Sequence, residues 1–516
     1  MSRSHSRAPG INPSDLPLTN GQAESASLRR DLRKITFAWS LGCVWLWIAS
    51  GAVINRFAVE VGTPGWAFGL LAGLPFIAAL SQLPVTWYLS RHRGRRRLFL
   101  WCCTTGRVLF IVVGLVPWVL PQDGVMPWWI AAVFTLLIAH ALNNATGPAW
   151  LNWMSDLIPR RVRGRYFARR EQVVTPVAIV ASLGAALLLD VADQHTSADA
   201  MLVVTSLLLI VAGVFGAGDI LVFLAVRDDK EPDPQTPDPD PATHTDDSTG
   251  LRSMLRPLRD PGFRCFLGFN FALTLAIGFI GQYLWLYLLD NLSWSNLQAN
   301  ALVLAIPMFG HMFVRPAWGR ACDRLGKRPT LIISSGCICF GAVGWMAMTP
   351  TLWWPGYLLV FLVTLAWPGL NLANLNFLLD FSKSATQSRQ DERGAGAPAA
   401  ALFAVCIAVS GGLSGLIGGS IAGLLEARSY TPLPESAPGL TLNYFHALFL
   451  VSTLIRFVAL AFALRLDEPK AAGTRDAIRY MTTGLYSNLR GAALTPTRWA
   501  APARRWAYRI DRRRPR

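Results

Sequence analysis

The stretch Gly319-Arg320-Ala321-Cys322-Asp323-Arg324-Leu325-Gly326-Lys327-Arg328 is a charged, glycine-bounded turn between two long apolar runs. A loop carrying Asp323 beside Arg324, Lys327 and Arg328 cannot lie in hydrocarbon, where charges and irregular backbone find no water. It therefore marks a point where the chain meets an aqueous surface, and the rest of the sequence reads as spans and loops arranged around it.

Composition agrees with that reading. Of 516 residues, 52% are hydrophobic and 15% charged, against about 25% charged in soluble domains. The apolar residues fall in runs of about 20, enough to cross a ~30 Å hydrocarbon core. The runs lie at 35–58, 66–89, 98–118, 127–155, 172–192, 201–226, 264–289, 299–320, 329–348, 355–380, 396–425 and 443–464. The formal charge of +17 would suggest nucleic acid in a soluble protein. Here the lysines and arginines sit mostly in loops and tails, so topology explains them and no nucleic-acid partner is expected.

Basic residues set the orientation. Arg91, Arg93 and Arg95–Arg97 follow the second run, Arg160, Arg161, Arg163, Arg165, Arg169 and Arg170 the fourth, and Lys383, Arg389 and Arg393 the tenth. The opposite loops hold Glu60, Asp123, Asp193, Asp199, Asp290 and Glu435. Both termini are therefore expected in the cytoplasm. Between the sixth and seventh runs, Arg227–Ser248 interleaves acidic residues with five prolines, a composition that cannot bury enough apolar area to order itself.

The two halves repeat. Ala149-Trp150-Leu151-Asn152-Trp153-Met154-Ser155-Asp156 ends the fourth run and Ala373-Asn374-Leu375-Asn376-Phe377-Leu378-Leu379-Asp380 the tenth, sharing A-x-L-N-aromatic-apolar-x-D. Gly94 matches Gly326, and Arg163-Gly164 matches Arg393-Gly394. Three pairs at similar offsets point to duplication.

The opening stretch resembles the loop motif G-x-x-x-D-R-x-G-R/K-R/K of the major facilitator superfamily of secondary transporters, with Gly319, Asp323, Arg324, Gly326, Lys327 and Arg328 in register. Asp156, Pro159, Arg163 and Gly164 resemble the segment that follows the fourth span in that family. The resemblance implies an all-α membrane protein of about twelve transmembrane helices in two pseudo-symmetric six-helix bundles. It divides the chain into an N-terminal tail 1–34, a bundle 35–227, an acidic linker 228–257, a bundle 258–466 and a basic tail 467–516. It makes Gly319, Asp323, Arg324, Gly326, Lys327, Arg328, Asp156 and Arg163 parts of a conformational latch. The first-half loop departs from the pattern, with Trp87 for the first Gly and Arg91 for the Asp, which argues against two equal latches.

In such transporters the first, fourth, seventh and tenth spans line the cavity. Here they offer Asn143, Asn144, Trp150, Gln282, Trp285, Asn371 and Asn374 as candidate solute-binding residues. Uncharged donors and aromatic faces suit a neutral or amphipathic organic solute, though amides between membrane helices equally serve packing. Ionisable groups inside spans are the place to look for ion coupling, and His140, Asp219 and His311 are the candidates. Arg107 with Asp219 reads equally as a mutually compensated pair. The glycines at 411, 415, 419 and 423 share one face of the eleventh run and read as a packing surface.

No catalytic motif is present, and no metal or cofactor is expected. The expected protein is a monomeric secondary transporter of a small organic solute in a bacterial inner membrane, working by alternating access, with coupling to protons, coupling to another ion and uniport all open. Its alternatives are a transporter-fold sensor or a polytopic membrane enzyme. The basic tail reads either as an interfacial segment on anionic lipid or as a disordered extension.

Overall fold

The computed structural model describes residues 20–91, 94–121, 124–194, 199–228, 255–346, 348, 354–387, 397–426, 444–468, 471–473, 476 and 479. The first part of the N-terminal tail, the acidic linker apart from its ends, most of the C-terminal tail and the side chain of Arg163 lie outside the described residues. No strand occurs among the described residues.

Eleven described helices are long and apolar enough to cross a membrane. The second to sixth spans are Gly65–Leu89, Arg95–Val119, Trp128–Leu151, Arg169–Asp193 and Ala200–Phe223. The seventh to twelfth are Pro261–Asn291, Asn296–Leu325, Lys327–Met346, Gly356–Phe381, Pro398–Leu425 and Tyr444–Arg465. The first span is a bent pair, Ser27–Ile48 and Ala52–Glu60, turning by 45° at Gly51, whose φ of 69° only glycine adopts readily. The fold is thus the expected all-helical one, with the spans where the apolar runs lie.

The first helix begins at Asn20, well before Ile35. Contacts beyond its apolar part hold the extension. Asp31, 2% exposed, accepts from Arg227 Nε at 2.8 Å. Lys34 donates to the Ala225 carbonyl at 2.6 Å. Charge pairing at the membrane edge carries the helix further than hydropathy alone indicates.

By compactness the chain forms two units, Met1–Gly62 with Ser81–Asp240, and Thr63–Leu80 with Pro241–Arg516. The second span is shared between them: it changes unit at the 3-10 turn Ala79–Ser81. In the first unit, Phe99, Trp153 and Phe223 meet edge-on or tilted with centroids 5.1–5.9 Å apart. In the second, Phe266 packs on Phe377, Phe381 and Phe403 at 5.5–6.1 Å. Because lipid is as apolar as a core, such shape-matched packing, not transfer from water, holds membrane helices together.

Within the second unit, helix Phe68–Ala78 lies backbone to backbone on helix Ala397–Glu426. A Cβ on either Gly69 or Gly415 would run into the other's carbonyl oxygen, and one on Gly419 into that of Trp66. Glycine is required for this approach, and the seam is built of Cα–H and carbonyl contacts. The Tyr283 hydroxyl ties down the start of the seam by donating to the Gly65 carbonyl at 3.3 Å.

The ninth span is broken into Lys327–Cys339 and Gly341–Met346. A helix end leaves carbonyls without partners. Arg456 of the twelfth span, 7% exposed, donates from Nη1 to the Ile338 carbonyl at 2.7 Å. The negative end of the helix dipole and this hydrogen bond together compensate a charge that has no salt-bridged carboxylate among the described residues.

Candidate functional site

The opening loop is held by a charge cluster. Gly326, with φ of 105°, turns the chain so that Lys327 starts the ninth span. Lys327 Nζ pairs with Asp380 at the end of the tenth span and lies 3.8 Å from Glu468, which follows the twelfth. Glu468 also accepts from the Arg328 backbone N–H at 2.8 Å, and the Arg328 guanidinium donates to the Leu464 carbonyl at 3.2 Å.

The first half repeats this arrangement residue for residue. Gly94, φ 109°, precedes Arg95, which pairs with Asp156 at 2.5 Å and with Asp228 at 2.6 Å. Arg96 donates to the Leu224 carbonyl at 2.7 Å. A cation opening a span, an acid ending the next and an acid after the last span of the half thus recur at matched positions. The sequence pointed to Asp156 and Lys327 but not to Arg95, Asp228, Asp380 or Glu468 as partners. Arg95 was one basic residue among many, and Asp228 was the first acid of a linker rich in them.

Asp323 sits apart from the cluster. Its side chain is exposed and makes no salt bridge among the described residues, while Gly319 has open space where a Cβ would be. Arg324 is exposed as well.

Deeper in the first unit lies a second constellation. Arg107 of the third span and Asp219 of the sixth, 6% and 2% exposed, form an ion pair at 3.5 Å. The guanidinium lies over the Trp45 ring at 3.2 Å from its centroid, an arrangement that favours a cation in a dry environment. Trp45 meets Phe110 edge-on at 5.3 Å, and Phe110 meets the His140 ring at 6.0 Å. The pair is under-satisfied: Arg107 Nε and Nη1, Asp219 Oδ1 and Trp45 Nε1 are buried without a hydrogen-bond partner among the described residues. Buried polar atoms are rarely left so, and four of them at one ion pair set this place apart from the rest of the unit. Arg170 joins from the fifth span, paired with Glu171 at 2.7 Å and 5.2 Å from the Trp39 ring.

The amides divide by role. Asn374 exchanges two hydrogen bonds with the buried Asn270, at 2.9 and 2.7 Å, a reciprocal pair that locks the seventh span to the tenth. Asn143 donates to the Ala139 carbonyl at 2.8 Å, but its buried Oδ1 has no partner among the described residues. Asn144 donates to the His140 carbonyl at 2.9 Å and accepts from Gln82 at 3.5 Å. Trp150 meets Phe167 at 6.0 Å. Asn371 is exposed, Gln282 half-buried and Trp285 buried. His311 Nε2 lies 2.9 Å from the Thr364 carbonyl. Among the described residues no cluster of three or more His, Cys, Asp or Glu could hold a metal ion.

A family model described as Major Facilitator Superfamily matches residues 35–396. Solved transporters share the fold. A nucleoside transporter, NupG, superposes with a TM-score of 0.59 at 14% identity, covering 86% of this chain and 100% of its own. A POT family transporter in complex with a conjugated peptide gives 0.55 at 14%, covering 85% and 97%. The xylose transporter XylE from E. coli gives 0.52 at 14%, covering 86% and 99%. No curated protein matches the sequence.

Proposed function

Because this chain belongs to the major facilitator superfamily, we propose that it is a secondary transporter that moves a small organic solute by alternating access, coupled to protons. It works as a monomer in a bacterial inner membrane with both termini in the cytoplasm. The observation that carries alternating access is the shared second span, whose first part packs in one compact unit and whose last part packs in the other. Such a span must bend or slide when its two ends part company.

The solute class follows from the polar atoms left open. Asn143 Oδ1 is a buried acceptor without a donor among the described residues, and the other candidate side chains, Asn144, Trp150, Gln282 and Asn371, offer hydrogen bonds without charge. A neutral or amphipathic solute carrying N–H or O–H groups fits these residues. The compounds named with the structural neighbours set the panel: nucleosides, xylose and a conjugated peptide, with amphipathic drugs added.

The test is thermal-shift and flux measurement on the purified protein in proteoliposomes against that panel. One class is expected to raise the unfolding temperature and to cross the membrane. A folded protein that neither binds nor moves any member would overturn the reading in favour of a sensor. Asp323, exposed and free of salt bridges among the described residues, is the latch carboxylate that finds its partner in another state of the cycle. Asp323→Asn is expected to slow solute flux while membrane insertion and stability stay unchanged. Wild-type flux from this variant would remove Asp323 from the latch.

A further inference from the structure

The two halves bury an arginine at equivalent points but mount it on opposite helices. The same distance along from Arg95 and Lys327 lie Arg107 and Cys339, and the same distance back from Asp228 and Glu468 lie Gly216 and Arg456. A Cβ on Gly216 would stand 2.9 Å from Arg107 Cδ, and Arg456 donates to the carbonyl of Ile338, the residue before Cys339. Duplication and divergence have left one cation in each half at this level.

What compensates the cation differs in kind. Arg456 is held by the Ile338 carbonyl at a broken helix, a partner that cannot take up a proton. The sixth span is unbroken at this level, so Arg107 has no free backbone carbonyl to bind. It has Asp219 instead, and the residue matching Asp219 in the second half is Ala459. One half therefore carries a fixed compensation and the other a titratable one.

We propose that Asp219, ion-paired with Arg107 above the Trp45 ring, is the carboxylate whose protonation couples solute movement to the proton gradient; this rests on the transporter reading above. A proton from water bonds to the unpartnered Oδ1, the carboxylate becomes a neutral acid and the Oδ2–Nη2 ion pair is lost. The pair then carries one net positive charge. Arg107 keeps the face of Trp45, but it now has three nitrogens seeking acceptors, so the third and sixth spans are driven to a different packing. The site is too close for a solute: a Cβ on Gly42 would lie 2.9 Å from Asp219 Cγ. A proton is the ligand that fits.

The charged and titratable groups around Asp219 are few. Arg107 faces it from the third span and Arg170 acts on it from the fifth. Cys43 of the first span and Cys103 of the third also sense it. Glu171, 39% exposed beside Arg170, also acts on Cys43 and supplies an acid nearer to water. Arg56 and Glu60 of the outer part of the first span act on one another and near Asp199, at the far end of the sixth span.

The test is pH-difference infrared spectroscopy of the full-length reconstituted protein. Wild type is expected to gain the carbonyl band of a buried carboxylic acid as pH falls, Asp219→Asn to lose that band and Asp323→Asn to keep it. A band that persists in Asp219→Asn overturns the proposal. Should that variant fail to fold, Gly42→Ala presses a Cβ on the same carboxylate and must shift the band; an unmoved band is again fatal. With a solute in hand, Asp219→Asn is expected to lose proton-driven accumulation while retaining solute exchange. Undiminished accumulation overturns the proposal and leaves the transporter reading standing. Absence of flux in wild type counts against the transporter reading, while the infrared result still decides the proton site.

Discussion

Arg95→Met is expected to lower stability by about 3 kcal/mol, because removing one member of a buried ion pair strands the other charge. The stranded group is Asp228, whose side chain is 4% exposed. The measurement is the thermal unfolding of the detergent-purified variant. Adding Asp228→Asn should recover much of the loss, since both charges are then gone. Asp156→Asn removes the other partner, but that carboxylate is 43% exposed, where pairs contribute about 0–1 kcal/mol. Lys327→Met should fall between them, since Asp380 is 53% exposed and Glu468 is a longer contact. If Asp156→Asn proved as damaging as Arg95→Met, burial would not be what ranks these pairs.

Gly415→Ala should be as disruptive from a smaller change. Its new Cβ collides with the Gly69 carbonyl, and neither backbone can yield without moving a helix, so a cost of about 1–3 kcal/mol is expected from overpacking. Gly418→Ala is the matched control three residues on. The nearest atom to its Cβ would be 3.6 Å away, an ordinary contact, and alanine favours a helix over glycine by about 1 kcal/mol. Thermal unfolding should separate the two variants in opposite directions. A disulfide between Ile77→Cys and Gly412→Cys, made after the eight native cysteines are replaced, should form readily and fail when Gly415→Ala is added. Equal crosslinking would mean that the seam tolerates a methyl group.

The fold was legible because its signal is length and hydropathy. Eleven of the twelve apolar runs match a span to within a few residues, and the exception, the first, extends because Asp31 and Lys34 find partners on distant parts of the chain. Local sequence cannot announce a partner so far away. The repeat was legible in the same way, through Asp156 against Asp380 and Gly94 against Gly326. What the sequence hid was the third member of each charge cluster. Asp228 looked like linker and Glu468 like tail, although each lies four residues beyond a leucine whose carbonyl receives an arginine. The amides were ambiguous for a physical reason: Asn374 and Asn143 carry the same groups, and only geometry separates one with its hydrogen bonds made from one with a buried oxygen left over.

The glycine seam has a further consequence for how the protein senses its medium. Gly69, Gly415 and Gly419 meet through backbone alone, so the contact holds no group that mobile ions can shield. The clusters around Arg95 and Lys327 are of the other kind: their partly exposed members, Asp156 and Asp380, are open to screening over a Debye length of about 8 Å in physiological salt. Ionic strength therefore acts on the charge clusters and leaves the glycine seam untouched, so salt is a lever that weakens one kind of contact in this chain without the other.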